Sequence, residues 1–409
     1  MIAAVAALAA CESSSAPPRA KPGDEVIAVA PKPVDAGGGG DAAARKVFIN
    51  SAGRCGECHE KMFDEWEPSA HADAADSPVY LAALADAGDD PTCDRCHVPL
   101  AREAPGNTLV REGVTCDVCH TLRDPTPSAD GAGFRLAVDD MVKYGPRCNL
   151  EDHYFHRMGC SREHRQAELC GACHQWEPKG LPVLTEYTDW KAGPYPAQDA
   201  PCQACHMPTS RAALAQGAPV RPGVPHHGLL GAAGDLRRRA LALEVRAADD
   251  AGTLAVTVTL RNTNAGHAVP AGLPERRVVV GVRVRDAAGA ERASASRALG
   301  RVLVDATGAE APFWRATRVG ADSRIPPGGT WTETFALGPF EPGTIEVEVV
   351  HRDLAEAAVR RLPASVEVVA EVMAQATLAL KGPTPPRPVV VSPPPVVDRS
   401  RATAHRRAP

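Results

Sequence analysis

The sequence predicts a multidomain chain: a mainly α and irregular domain over 46–232, followed by an antiparallel β-sandwich over 236–372. Three observations carry that prediction. The string Cys-x-x-Cys-His occurs five times between residues 55 and 206, as CGECH, CDRCH, CDVCH, CGACH and CQACH. Aromatic residues make up only 4% of the 409, poor stocking for a conventional core of that size. From about Leu236 the apolar residues recur with a period of two, the spacing of half-buried strands.

The repeated string is the attachment signature of c-type haem. Cysteines at i and i+3 and a histidine at i+4 project to one side of a helical turn, so two sulfurs can bond the macrocycle edge while the imidazole meets the iron. Haem 1 falls to Cys55, Cys58 and His59, haem 2 to Cys93, Cys96 and His97, and haem 3 to Cys116, Cys119 and His120. Haem 4 takes Cys170, Cys173 and His174, and haem 5 takes Cys202, Cys205 and His206. Each histidine is the proximal ligand. Half of a zinc site or a redox dithiol needs no histidine after the second cysteine, yet all five strings have one. Five flat apolar macrocycles fill the interior that side chains leave empty, which makes a domain of little regular structure with no stable fold without its cofactors. The net charge of -5 is mild, and no basic patch interleaved with aromatics lies among the motifs, so no nucleic-acid partner is indicated.

The chain opens with a short apolar run ending Leu8-Ala9-Ala10-Cys11, which resembles the lipobox of bacterial lipoproteins: residues 1–11 read as a lipoprotein-type signal whose cleavage before Cys11 leaves that cysteine as the lipid-bearing N-terminus. The run is too short to span a bilayer and has no basic residue before Arg19. An ordinary cleaved signal peptide is the other reading, and both export the chain, as c-type haem attachment requires. Residues 12–45 are small, Pro-rich and Gly-rich, the composition of a flexible tether. Cys55 to Trp66 reads as a helix ended by Pro68, and His71 follows it as a distal ligand to one of the five haems. Between motifs 3 and 4, Cys148 and Cys160 flank His153 and His156; in an oxidising compartment a disulfide closes that loop and holds a ligand histidine. Cys160 is followed by Ser161, which excludes a sixth site. Tyr187 and Trp190 pack a haem, and of the pair His226 and His227 one ligates an iron.

In the second domain Leu254, Val256, Val258 and Leu260 alternate with small or polar residues, as do Val280, Val282 and Val284, then Ile345, Val347 and Val349. The string NTNAGHAVPAG interrupts that rhythm and makes His267 a loop residue able to reach a haem. The Pro-rich, basic tail 381–409 cannot form a core and reads as disordered.

The strings CGECHEKMFDEW, SAHADA, EGVTCDVCHT, ELCGACH, EYTDW and CQACHMP resemble the multihaem cytochromes c, in particular the tetrahaem carrier that accepts electrons from hydroxylamine oxidoreductase. The resemblance covers about 50–230 and implies electron transfer; the β domain looks like a module of longer relatives. Four haems in that carrier against five sites here prevent wholesale transfer of haem pairing. Pentahaem nitrite reductases have a lysine proximal ligand at the active haem, and no motif here ends in lysine.

Five bis-histidine irons need five distal imidazoles. His71, His156, His267 and one of His226 and His227 supply four; the fifth is His153 or His164, or it is absent. If every iron has two protein ligands, the protein passes electrons between redox partners and binds no substrate at a metal. If one iron is five-coordinate, a small nitrogen or sulfur compound can react there. The sequence favours the carrier, held in the periplasm or at the outer membrane or cell surface by its lipid anchor.

Overall fold

The computed structural model describes residues 47–230, 234–381 and 385–393. Cys11 and the tether lie outside the described residues. No described helix is long and apolar enough to cross a membrane.

The α-helices of residues 47–230 have only four to nine residues, the longest being Pro78–Asp86. Each Cys-x-x-Cys-His string lies in or against one such turn: Ala52–Gly56, Asp94–His97, Cys116–Thr121, Glu168–Gly171 and Cys202–His206. The expected helix from Cys55 to Trp66 is two pieces, because His59 leaves helical geometry at φ -106, ψ 46 and the chain re-enters a helix at Glu60–Trp66. The break frees the imidazole to turn inward. Apolar packing is scattered into small clusters, one around Leu100, Val118, Leu136 and Val138 and another around Ala52, Trp66 and Ala72. Cys148 and Cys160 are joined as a disulfide, with Cα atoms 4.6 Å apart.

The second half is built differently. Its principal strands are β1 (Leu241–Asp250), β2 (Thr253–Asn262), β3 (Arg277–Asp286), β4 (Glu291–Leu299), β5 (Thr330–Pro339), β6 (Gly343–Arg352), β7 (Ala370–Leu380) and β8 (Val389–Val391). They form two four-stranded antiparallel sheets, ordered β4-β3-β6-β7 and β5-β2-β1-β8. The alternating residues read from the sequence point inward: Leu254, Val256, Val258 and Leu260 from one sheet, Val280, Val282, Ile345 and Val347 from the other, all within one core. Burying each such side chain contributes roughly 1.5–3 kcal/mol. Two boundaries differ from the sequence expectation. Residues Gly234–Ala240 are helical and β1 starts only at Leu241, while the sheets continue to Leu380 and take in Val389–Val391. The tail is therefore not wholly disordered. Val389–Val391 is a short apolar run between prolines, and hydrogen bonding to the free edge of β1 orders it despite its composition.

Candidate haem centres

The five motif histidines face one continuous cavity of about 2820 Å³, far above the roughly 300–1,000 Å³ of a single-ligand pocket. Four of them have a second imidazole across that space. His59 faces His156 with ring centres 6.2 Å apart, His174 faces His71 at 6.2 Å, His120 faces His227 at 6.3 Å and His206 faces His267 at 6.3 Å. An imidazole nitrogen sits ~2.0 Å from a metal it ligates, and about 1.1 Å more to each ring centre puts two rings sharing one metal roughly 6.2 Å apart. The four spacings therefore fit one iron each. Ring planes are within 25–29° of parallel for the His59, His120 and His206 pairs, and 88° apart for His71 and His174.

Backbone carbonyls orient these rings. Nδ1–H of His59 donates to Leu214 O at 2.6 Å, of His97 to Ala74 O at 2.7 Å, and of His120 to Tyr144 O at 2.6 Å. On the opposing side His227 donates to Pro225 O at 3.0 Å and His267 to Ala268 O at 3.1 Å. Each bond fixes the tautomer that leaves Nε2 bare for metal. Burial pushes His71, His206 and His227 down to about 4 and also lowers His97, His120, His156 and His174. Neutral imidazole is the form that ligates.

His267 reaches the cavity because its loop is held at both ends. Asn262, 1% exposed, donates from Nδ2 to His267 O at 2.9 Å and to Ile325 O at 3.1 Å, and accepts from Ala265 N at 3.0 Å. Asp189, on the helix Glu186–Ala192, accepts from Ala268 N at 3.3 Å and from Arg324 Nη1 at 3.4 Å. The EYTDW string thus docks the two halves as well as lining the cavity with Tyr187 and Trp190.

His97 differs from the other four. No described histidine ring stands at the same spacing from it; its flank is covered by Tyr80, stacked at 3.9 Å and 6°, whose hydroxyl donates to Asp94 at 3.2 Å. Of the sequence candidates, His71, His156, His227 and His267 stand opposite motif histidines at the spacing of two rings sharing one metal, and three do not. His226 turns to Glu65, 3.6 Å from Nε2, and its Nδ1 accepts from Gly228 N, so it is a neighbour of the His227 ligand position and not part of it. His153 packs against Tyr154, ring centres 4.2 Å apart and planes tilted by 43°. His164 packs 5.5 Å from His120, but its Nε2–H is spent on Cys119 O at 3.0 Å. Sequence reasoning missed Tyr80, which lies in no motif, and the role of Asn262, which opens the string NTNAGHAVPAG but whose bonds to His267 and Ile325 only the fold makes.

The thiols show which motifs are adjacent. Cys55 and Cys116, Cys96 and Cys173, and Cys170 and Cys202 each lie close enough to perturb one another's thiol, and Cys119 acts electrostatically on Cys170 and Cys173. Motif 1 therefore meets motif 3, and motif 4 meets motifs 2, 3 and 5.

Residues 54–121 match the family model described as cytochrome c554 and c-prime. No curated protein matches the chain. Among solved structures, a penta-haem cytochrome c552 from Thermochromatium tepidum superposes with a TM-score of 0.65 at 22% identity, over 81% of this chain and 98% of that one. The chain has a multihaem cytochrome c fold. Its attachment strings, the paired imidazoles and that fold agree on haem c as the cofactor.

Proposed function

We propose that the chain is an exported electron carrier holding five covalent haems c, four of them between two imidazoles: His59 with His156, His120 with His227, His174 with His71 and His206 with His267. The observation that carries this reading is the set of four ring spacings, 6.2, 6.2, 6.3 and 6.3 Å. Bound haem supplies a one-electron iron couple at each site. The protein's own part is to keep the imidazoles neutral and aimed by backbone carbonyls, to enclose the macrocycles, and to set the motifs edge to edge. The thiol contacts support a branched path, from motif 1 through motif 3 to motif 4, which also touches motifs 2 and 5. Two imidazoles held in place by the chain would leave little to reorganise when a bound haem gains or loses an electron.

Export is supported by the lipobox-like string ending at Cys11 and by the Cys148–Cys160 disulfide, a bond of oxidising compartments. The partners are redox proteins that donate and accept single electrons, met near a membrane to which Cys11 tethers the chain.

A second reading follows from His97, which has no imidazole opposite among the described residues. An open iron there can bind a small nitrogen or sulfur compound and make the protein an oxidoreductase. Low-temperature electron paramagnetic resonance with carbon monoxide titration of the reduced protein tests both readings. Four low-spin haems are expected, one with the large maximal g-value of perpendicular imidazoles and three rhombic, with carbon monoxide taken up by one haem in five. Uptake by two or more haems, or fewer than four low-spin signals, overturns the ligand assignment. His267→Ala should convert one rhombic signal to high spin. Turnover of hydroxylamine or nitrite that carbon monoxide abolishes would put the oxidoreductase ahead of the carrier.

A further inference from the structure

Arg276 stands just past the loop that carries His267, on the β-domain wall of the haem cavity, where His174, Glu186, Gly272 and His351 also line it. Its guanidinium makes one hydrogen bond within the described residues, from Nη1 to Ala271 O at 3.2 Å. The acids whose fields reach it are Asp353 and Glu186, and neither forms an ion pair with it among the described residues: Asp353 is 2.8 Å from Arg237, and Glu186 accepts from the Gly272 N–H with Oε1 while its buried Oε2 has no hydrogen-bond partner. Burial lowers the guanidinium's hold on its proton, against the fields of those two acids. The site is also kept open for it. Gly272 has φ +84, and a Cβ there would fall 2.5 Å from Nη1, so a side chain at 272 and this guanidinium position exclude each other.

An arginine on a cavity wall with no ion pair of its own favours an anionic partner, and its planar fork matches a carboxylate better than any other side chain does. Haem brings two carboxylates, its propionates, into this cavity. Tyr187 N donates to His174 O at 3.3 Å, and its neighbour Glu186 accepts from the Gly272 N–H beside the guanidinium, so the wall that carries Arg276 adjoins the His174 site. We infer that Arg276 binds a propionate of the haem whose proximal ligand is His174, an assignment that rests on haem being held there as proposed above. The β domain thus supplies a positioning residue for the haem at the branch point of the path, in addition to the His267 imidazole. A cation beside this haem favours its reduced state, so Arg276 raises the midpoint potential of the branch point relative to its neighbours.

The test uses the purified holoprotein and the variants Arg276→Gln and Arg276→Lys, read by resonance Raman of the propionate bending band and by a redox titration followed through the large-g signal of the His71–His174 haem. Arg276→Gln should move the band and lower the midpoint potential of that haem while the other four keep theirs; Arg276→Lys, which keeps the charge, should lower it less. An unmoved band together with an unchanged potential in Arg276→Gln overturns the inference. If Arg276→Gln does not accumulate as holoprotein, Arg276→Lys still replaces a fork by a point charge, and an unmoved band in that variant overturns the inference equally. Haem content and the large-g signal are read in the unaltered protein first, so a missing haem at His174 is told apart from a haem that ignores Arg276.

Discussion

The two halves of this chain reach a fold by opposite means. In residues 47–230 the longest helix has nine residues and the apolar side chains form small separate clusters around a cavity of about 2820 Å³. In the β domain, strands of nine to eleven residues pack one continuous core in which Leu254, Val258, Val280 and Ile345 are all 0% exposed. One half is organised by what it binds, and the other by what its own side chains bury. The contact between them matters because a residue of the self-sufficient half, His267, is presented to the cofactor-dependent half.

That contrast can be broken most directly by withholding haem. With the ten motif cysteines replaced by alanine, residues 47–230 should become open to limited proteolysis while a fragment spanning 234–393 survives. A cofactor-free chain protected throughout would show that the first half has a core of its own. A smaller effect is expected from Leu254→Ala, which empties a site in the sheet core and should cost roughly 2–5 kcal/mol. Denaturant unfolding should show that loss in the β-domain transition, with the haem absorption spectrum unchanged before unfolding begins. A spectral change in the native state would mean that the halves share one cooperative unit.

The smallest effect concerns pH. His351 on β6 is 5% exposed, and burial, reinforced by Arg237 and Arg276 and opposed by Asp353, pushes its imidazole down to about 4. An unfolded histidine titrates near ~6.5. Below that value the unfolded chain takes up a proton that the folded one refuses, so this contribution is present above about pH 6.5 and is lost as pH falls toward 4. His351→Gln should flatten the thermal stability of the β domain across that interval relative to the parent. Equal slopes in both proteins would remove His351 from the account.

Much of the molecule is legible in the sequence because its signals are local. A Cys-x-x-Cys-His string needs one helical turn, and the period of two in Leu254 to Leu260 needs one strand, so neither depends on what lies elsewhere in the chain. The flanking cysteines at 148 and 160 enclose their histidines within the same short loop. His71, His156 and His267 could be nominated because irons need partners and histidines are few.

Which imidazole meets which motif was beyond the sequence. His71 lies twelve residues after His59 yet faces His174, and His227 was chosen over His226 only because the chain turns His226 toward Glu65. Such pairings are set by long-range packing, where an adjacent residue differs only in the direction its side chain takes from the backbone. The same holds for the strand at Val389–Val391, whose composition reads as tail until the open edge of β1 supplies its hydrogen bonds. The sequence by itself determined the cofactor's attachment points and the alternation of the sheets, because covalent bonding and side-chain period are properties of contiguous residues. Tertiary structure alone decided the imidazole pairs, the lack of a second imidazole at His97 among the described residues and the placement of Arg276, because each depends on segments that meet only after the chain has folded.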